Sequence, residues 1–128
     1  MAGGAYRSET DLVLEALGTL QILEAGQVAD LEDVAYVREK VDATLRMLAA
    51  LEICYIADSN NIPGEIFTPV ADILASLCAQ KFSVTPDDFT RIMQIGIGIP
   101  YGSGAGVMAI KQIMRGRPTY EPLRVYYL

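Results

Sequence analysis

Asp30-Leu-Glu-Asp-Val-Ala-Tyr-Val-Arg-Glu-Lys-Val-Asp-Ala-Thr-Leu-Arg-Met-Leu-Ala-Ala-Leu-Glu-Ile-Cys-Tyr-Ile-Ala57 is the stretch that decides the fold. Its apolar positions Leu31, Val34, Val37, Val41, Leu45, Leu48, Leu51 and Tyr55 recur three or four residues apart and form one stripe. Arg38, Asp42 and Arg46 make an i, i+4 ladder on the other side. Asp30 is placed to accept from the free N–H groups of the first turn, and Glu32 and Asp33 complement the positive end of the helix dipole. The spacing predicts a helix from Asp30 to about Ala57, roughly 40 Å long, long enough to be the backbone of a domain. The fold class expected around it is all-α, a small bundle of four or five helices.

Working outward, Ser8-Glu-Thr-Asp11 has the form of a capping box, and Leu12, Val13, Ala16, Leu17, Leu20 and Leu23 follow at helical spacing until Gly26. Beyond the long helix, Asp58-Ser-Asn-Asn-Ile-Pro63 is a turn by chemistry, with Pro63 placed to restart a helix. Ile66, Phe67, Val70, Ile73, Leu74, Leu77 and Phe82 then predict a third helix with a wide apolar face and hence a central position, with Pro69 near its first turn or kinking it. Thr85-Pro-Asp-Asp88 opens a fourth, which continues through Phe89, Ile92 and Met93. From Ile92 to Ile110 nineteen residues carry no charge, which reaches the length of a membrane span. Five glycines and Pro100 argue against one, and the reading preferred is a flexible or tightly packed loop from Gly96 to Gly104, then a short helix from Ala105 to Arg115.

The chain closes on Arg117-Pro-Thr-Tyr-Glu-Pro-Leu-Arg-Val-Tyr-Tyr-Leu128. Pro118 and Pro122 forbid helix, and Leu123 to Leu128 has the β-branched and aromatic residues that suit a pleated surface. A lone strand on a helical domain has no ladder for its backbone groups, so a partner chain is expected to supply one. The domain organisation read from this is a bundle over residues 1–116, with its glycine-rich loop near 96–106, and an extended arm over 117–128.

At 128 residues the chain has enough length to bury a core without disulfides or metal. It has no histidine and two cysteines, Cys54 and Cys78, both within apolar helical patterns, so the usual zinc sites cannot be assembled and both read as core residues. The first residues lack a hydrophobic signal core, which points to the cytoplasm. Residues 1–110 hold six basic and fifteen acidic side chains, residues 111–128 four and one. The acidic body is ill suited to gripping phosphates, and the basic tail is suited to an acidic partner. The glycine cluster lacks the Gly-Lys-Ser/Thr of a phosphate loop and follows a helix rather than a strand, and Ser103 has no histidine to activate it. The acidic pairs Glu32/Asp33 and Asp87/Asp88 read as first-turn cap chemistry. No catalytic constellation emerges, and no cofactor or metal is expected. Backbone close to backbone is what Gly96, Gly98, Pro100, Tyr101, Gly102 and Gly104 permit, whether against a neighbouring subunit, around a central opening, or as a surface loop within one subunit.

In order and spacing, Leu17-Gly18, Gly26-Gln27, the helix 31–57, Ile56-Ala-Asp-Ser-Asn-Asn-Ile-Pro63, Phe67-Thr-Pro-Val-Ala-Asp-Ile-Leu-Ala75, Phe82-Ser-Val and the tail Gly116 to Leu128 resemble the head-to-tail adaptor (head-completion or neck) proteins of tailed bacteriophages. The resemblance implies a dodecameric ring beneath the portal protein that extends the DNA channel, retains packaged DNA and offers a platform to tail or neck proteins. It implies a structural role, not an enzyme, in the virion neck, with assembly in the host cytoplasm and no membrane. The arm of that family reaches the portal, which here would fall to Tyr120, Leu123, Arg124, Val125, Tyr126, Tyr127 and Leu128. Packaged DNA would pass through without sequence-specific binding. Residues 96–106 depart from the family pattern, whose last helix is usually less interrupted. Two other readings stand beside this one: a soluble regulatory or scaffold module that binds a protein through its C-terminal strand, and a membrane-active protein using Ile92 to Ile110.

Overall fold

The computed structural model describes residues 6–20, 31–82 and 85–115. Five helices make up nearly all of it: α1 (Glu9–Thr19), α2 (Leu31–Ala50), α3 (Gly64–Cys78), α4 (Pro86–Ile95) and α5 (Ala105–Arg115). A 3₁₀ turn over Ala79–Phe82 follows α3. The all-α expectation is met. The C-terminal arm, the expected helix end at Gly26 and the cap at Asp30 lie outside the described residues.

Ser8 caps α1 as its sequence predicts: its hydroxyl accepts from the Asp11 N–H at 3.2 Å while the Asp11 carboxylate accepts from the Ser8 N–H. Those bonds, with Arg7 nearby, hold the Asp11 carboxyl below its usual value, the backbone bond from Ser8 being the largest cause. The turn at 58–61 seals the same helix end. Asp58 accepts from the Asn60 N–H at 2.9 Å and the Asn61 amide at 3.2 Å, Asn60 accepts from the Glu9 N–H at 3.2 Å, and the Ser59 hydroxyl donates to Glu9 at 2.7 Å. Beside it lies a pairing not read from the sequence: β1 (Tyr6–Arg7) runs antiparallel to β2 (Ile62–Pro63), with Tyr6 opposite Pro63 and Arg7 opposite Ile62.

The long helix is shorter than its periodicity predicts. α2 ends at Ala50, not Ala57, because Glu52 turns left-handed at φ 60°. The Glu52 N–H donates to the Ala49 carbonyl at 3.0 Å and the Ile53 N–H to the Leu48 carbonyl at 2.9 Å, the paired bonds of a Schellman stop, with Ile53 and Leu48 both buried. Glycine is the usual signal for this stop, and glutamate concealed it. The stripe is correspondingly narrower: Val37, Val41, Leu45 and Leu48 are buried with Thr44, whereas Leu31 is 83% exposed and Tyr55 64%. The charged ladder is also only half formed. Arg46 pairs with Asp42 at 3.3 Å, but Arg38 turns to α1, donating to Thr10 at 3.1 Å and lying 3.9 Å from Glu9.

α3 is the hub. It touches the other four helices, while α1 packs on α2 and α4 on α5, so it lies between two helix pairs. Ile66, Phe67, Val70, Ala71, Ile73, Leu74, Ala75, Ser76 and Cys78 are buried, which leaves almost no face of α3 to solvent. Each fully buried large apolar side chain contributes roughly 1.5–3 kcal/mol, so this helix carries the largest share of the core. Pro69 lies inside α3, beyond its first turn, and removes one bond from the ladder there. Phe82, expected on the third helix, belongs to the 3₁₀ turn and meets Tyr36 edge-to-face at 5.9 Å. Thr85 caps α4 by accepting from the Asp88 N–H at 3.2 Å, with Pro86 first in the helix.

Candidate functional site

The glycine-rich segment is a tightly packed turn that locks the α4/α5 pair to the hub. Gly96 ends α4 against α3, where a Cβ would lie 2.5 Å from both the Asp72 carbonyl oxygen and Ser76 Oγ. Ser76, in the middle of an apolar helix face, is there for this contact. Its hydroxyl donates to the Ile73 carbonyl at 2.6 Å and accepts from the Ile97 N–H at 3.1 Å, satisfying a buried backbone donor. The chain then folds back on itself, with the Gly98 N–H on Met93, and the Gly102 and Gly104 N–H groups both on the Ile97 carbonyl. Gly98 has φ +87°, and a Cβ on Gly104 would meet the Gly96 carbonyl oxygen at 2.2 Å and the Gly98 nitrogen at 2.6 Å.

Close backbone approach is therefore realised within one subunit, between α3, the end of α4 and the start of α5. The buried glycines Gly96, Gly98 and Gly104 are covered by their own chain, and what the segment offers outward is its tip, with Ile99 67% and Tyr101 57% exposed and Pro100 also exposed. Ser103 Oγ donates to the Pro100 carbonyl at 2.7 Å, which closes the tip. The same folding divides Ile92–Ile110 between α4, the turn and α5, and no helix among the described residues is long and apolar enough to cross a membrane.

The large apolar side chains left exposed among the described residues are spread over several elements, Tyr6 on β1 among them. Leu14, Leu31, Leu51 and Tyr55 belong to α1, α2 and the chain just after α2, while Ile99, Tyr101, Met108 and Met114 belong to the turn and α5. The two helix pairs carrying them meet chiefly through the hub.

Burial pushes the Cys54 and Cys78 thiols up to about 11, which favours the protonated form of both at neutral pH. Asp72, on the flank of α3, is raised to about 6, mainly by burial, with Glu15 adding to the effect and the Thr19 hydroxyl, 3.4 Å away, opposing it. Among the described residues no three histidine, cysteine, aspartate or glutamate side chains come together as metal ligands.

Of the residues the sequence singled out, Gly96, Gly98, Pro100, Tyr101, Gly102 and Gly104 come together in this turn, and Tyr120, Leu123, Arg124, Val125, Tyr126, Tyr127 and Leu128 lie outside the described residues. The sequence reading missed Ser76, whose signal was a lone hydroxyl beside Ala75 in a largely apolar run. It also missed a basic aromatic cluster: Lys40 Nζ and Lys81 Nζ stand 5.2 and 5.4 Å from the centre of the Tyr36 ring, with Phe82 at its edge. No family model matches this chain, and no curated protein or solved structure matches it.

Proposed function

We propose that this chain is a structural head-to-tail adaptor of a tailed bacteriophage, assembling as a ring under the portal, extending its DNA channel and offering a surface to tail components. The observation that supports assembly is the exposed apolar tip of the glycine turn, Ile99 and Tyr101, with Met108 and Met114 exposed on α5. Head-to-tail contacts between copies of a chain give a ring where the rotation between neighbours closes. The tip Ile99 to Tyr101 is the part of the glycine turn available to such a neighbour, and it stands on a base fixed by the Ser76 bonds and the buried glycines. The strand-like sequence 117–128 supports the portal contact, since an extended segment with Leu123, Val125 and Tyr127 on one face adds readily to a sheet edge. DNA would pass without sequence readout, in keeping with an acidic body.

The test is native mass spectrometry of the full chain with purified portal protein, beside a chain lacking Thr119 to Leu128. The adaptor reading predicts ring-stoichiometric binding by the full chain and none by the truncated one, with unchanged circular dichroism. A monomer that ignores the portal with its arm intact is the result expected of a soluble scaffold module instead.

A further inference from the structure

The charge of this chain is divided along its length. Residues 1–64 hold four basic and eleven acidic side chains, and residues 65–128 hold six and five. Between Asp88 and Glu121 no acidic residue occurs, and α5 lies within that stretch. On its inner side Gly106, Val107 and Ile110 are buried. Met108, Lys111, Gln112 and Arg115 are all exposed and spaced i, i+3, i+4, i+7, so they share one outer face that is apolar and positive. The exposed tip Ile99 to Tyr101 stands at the start of this helix, since Gly104, the residue before it, donates to the Ile97 carbonyl at 3.1 Å.

The face that matches it lies on α2. Ala35, Glu39, Asp42, Arg46 and Ala49 follow one another at helical spacing and are exposed, with Ala43 beside them. Short alanine side chains let another helix come close, and Glu39 and Asp42 offer carboxylates between them. Asp42 already lies 3.3 Å from Arg46, but their side chains are 78% and 81% exposed, so the pair contributes little and Asp42 can be shared with a second cation. Arg38, also exposed on α2, is turned to Thr10 and Glu9 of α1. At 1.5 Å per residue α5 is about 16 Å long and α2 about 30 Å, so α5 can lie along α2 for its whole length. Two α5 faces meeting about a two-fold axis would bring only positive charges together, whereas α5 on α2 sets Lys111 and Arg115 against carboxylates.

We infer that α5 of one copy, with the tip at its start, docks on the outer face of α2 of a second copy, Lys111 and Arg115 against Glu39 and Asp42 and Met108 over the alanines. The two faces differ, so the contact is head-to-tail, and each copy keeps one face of each kind for a further neighbour. This deepens the adaptor reading by naming the seam of its ring, and rests on that reading only for closure under a portal. The test uses this chain alone, so the two fail separately.

The experiment is sedimentation velocity of the full chain over rising concentration, with circular dichroism as the check on folding. The parent is compared with Lys111→Glu/Arg115→Glu and with Glu39→Lys/Asp42→Lys. The parent is expected to show a fast-sedimenting species, and each variant alone to lose it, because its two faces then carry one sign. An equal mixture of the two variants is expected to recover that species, since every junction between them pairs opposite charges, which two misfolded chains could not do. The chain lacking Thr119 to Leu128 is expected to assemble as the parent does. The inference is overturned by a parent that is monomeric at every concentration, by assembly unchanged in either variant, by a mixture that stays monomeric, or by loss of assembly on truncation, which would give the contact to the arm.

Discussion

Replacing glycine by alanine at three places should give three different results, and the differences follow from where the new methyl would go. At Gly104 it would lie 2.2 Å from the Gly96 carbonyl oxygen, 2.6 Å from the Gly98 nitrogen and 2.7 Å from the Ile97 carbonyl carbon. All three are backbone atoms of the turn that folds over Gly104, so no side chain can swing aside. The turn must open, breaking the Ile97 N–H bond to Ser76, and we expect a loss of about 3 kcal/mol. At Gly102 nothing lies within 4 Å, but φ is +101°, so alanine meets backbone strain alone, about 1–2 kcal/mol. At Gly18, inside α1, nothing lies within 4 Å and φ is ordinary, so alanine should stabilise by about 0.5–1 kcal/mol through helix propensity. Urea unfolding followed at 222 nm measures all three, provided the transition is two-state with an unchanged slope. Gly104→Ala within about 0.5 kcal/mol of the parent would refute the packed turn, and a destabilised Gly18→Ala would refute its position on an open helix face.

Two further expectations use the same measurement, and a third uses the thermal midpoint. Glu52→Gly should stabilise by roughly 0.5–1 kcal/mol by removing a side chain from a left-handed stop, and a loss would mean that α2 does not end there. Ser76→Ala should cost about 1–3 kcal/mol, since it leaves the buried Ile97 N–H without an acceptor. Asp72 gives a pH signature. Its folded value is raised from 3.8 to about 6, so the folded form holds a proton that the unfolded chain has already released between those values. The contribution is fully present below the unfolded value and lost as pH rises through about 6. Asp72→Asn should therefore raise Tm at pH 7.5, and this gain should shrink as pH falls toward 4; a gain independent of pH would remove burial of the charge as the cause.

The helical architecture was legible because its signals are local. Ser8 with Asp11 and Thr85 with Pro86 mark two helix starts by capping chemistry alone, and the apolar breadth of Ile66 to Leu77 announced the hub. Ala105 to Arg115 was readable for a similar reason, being the first stretch after the glycines able to hold a helix. The end of α2 was not legible. Leu51 and Tyr55 keep the helical period, and a stop built on a left-handed glutamate depends on Ile53 finding the core, which is a tertiary event. The glycine cluster announced close backbone contact but not its partner, because Gly104 is covered by Gly96 and Ile97 of the same turn and Gly96 by Ser76, twenty residues earlier in the chain. The Lys40–Tyr36–Lys81 cluster was hidden for the same reason, since its members come together only when the 3₁₀ turn docks on α2.

Native mass spectrometry of the full chain mixed with portal protein reaches the proposed role most directly. A ring of this chain seated on the portal, lost when Thr119 to Leu128 are removed while the helical spectrum persists, is the predicted result. A chain that remains monomeric and leaves the portal unoccupied with its arm intact would contradict it.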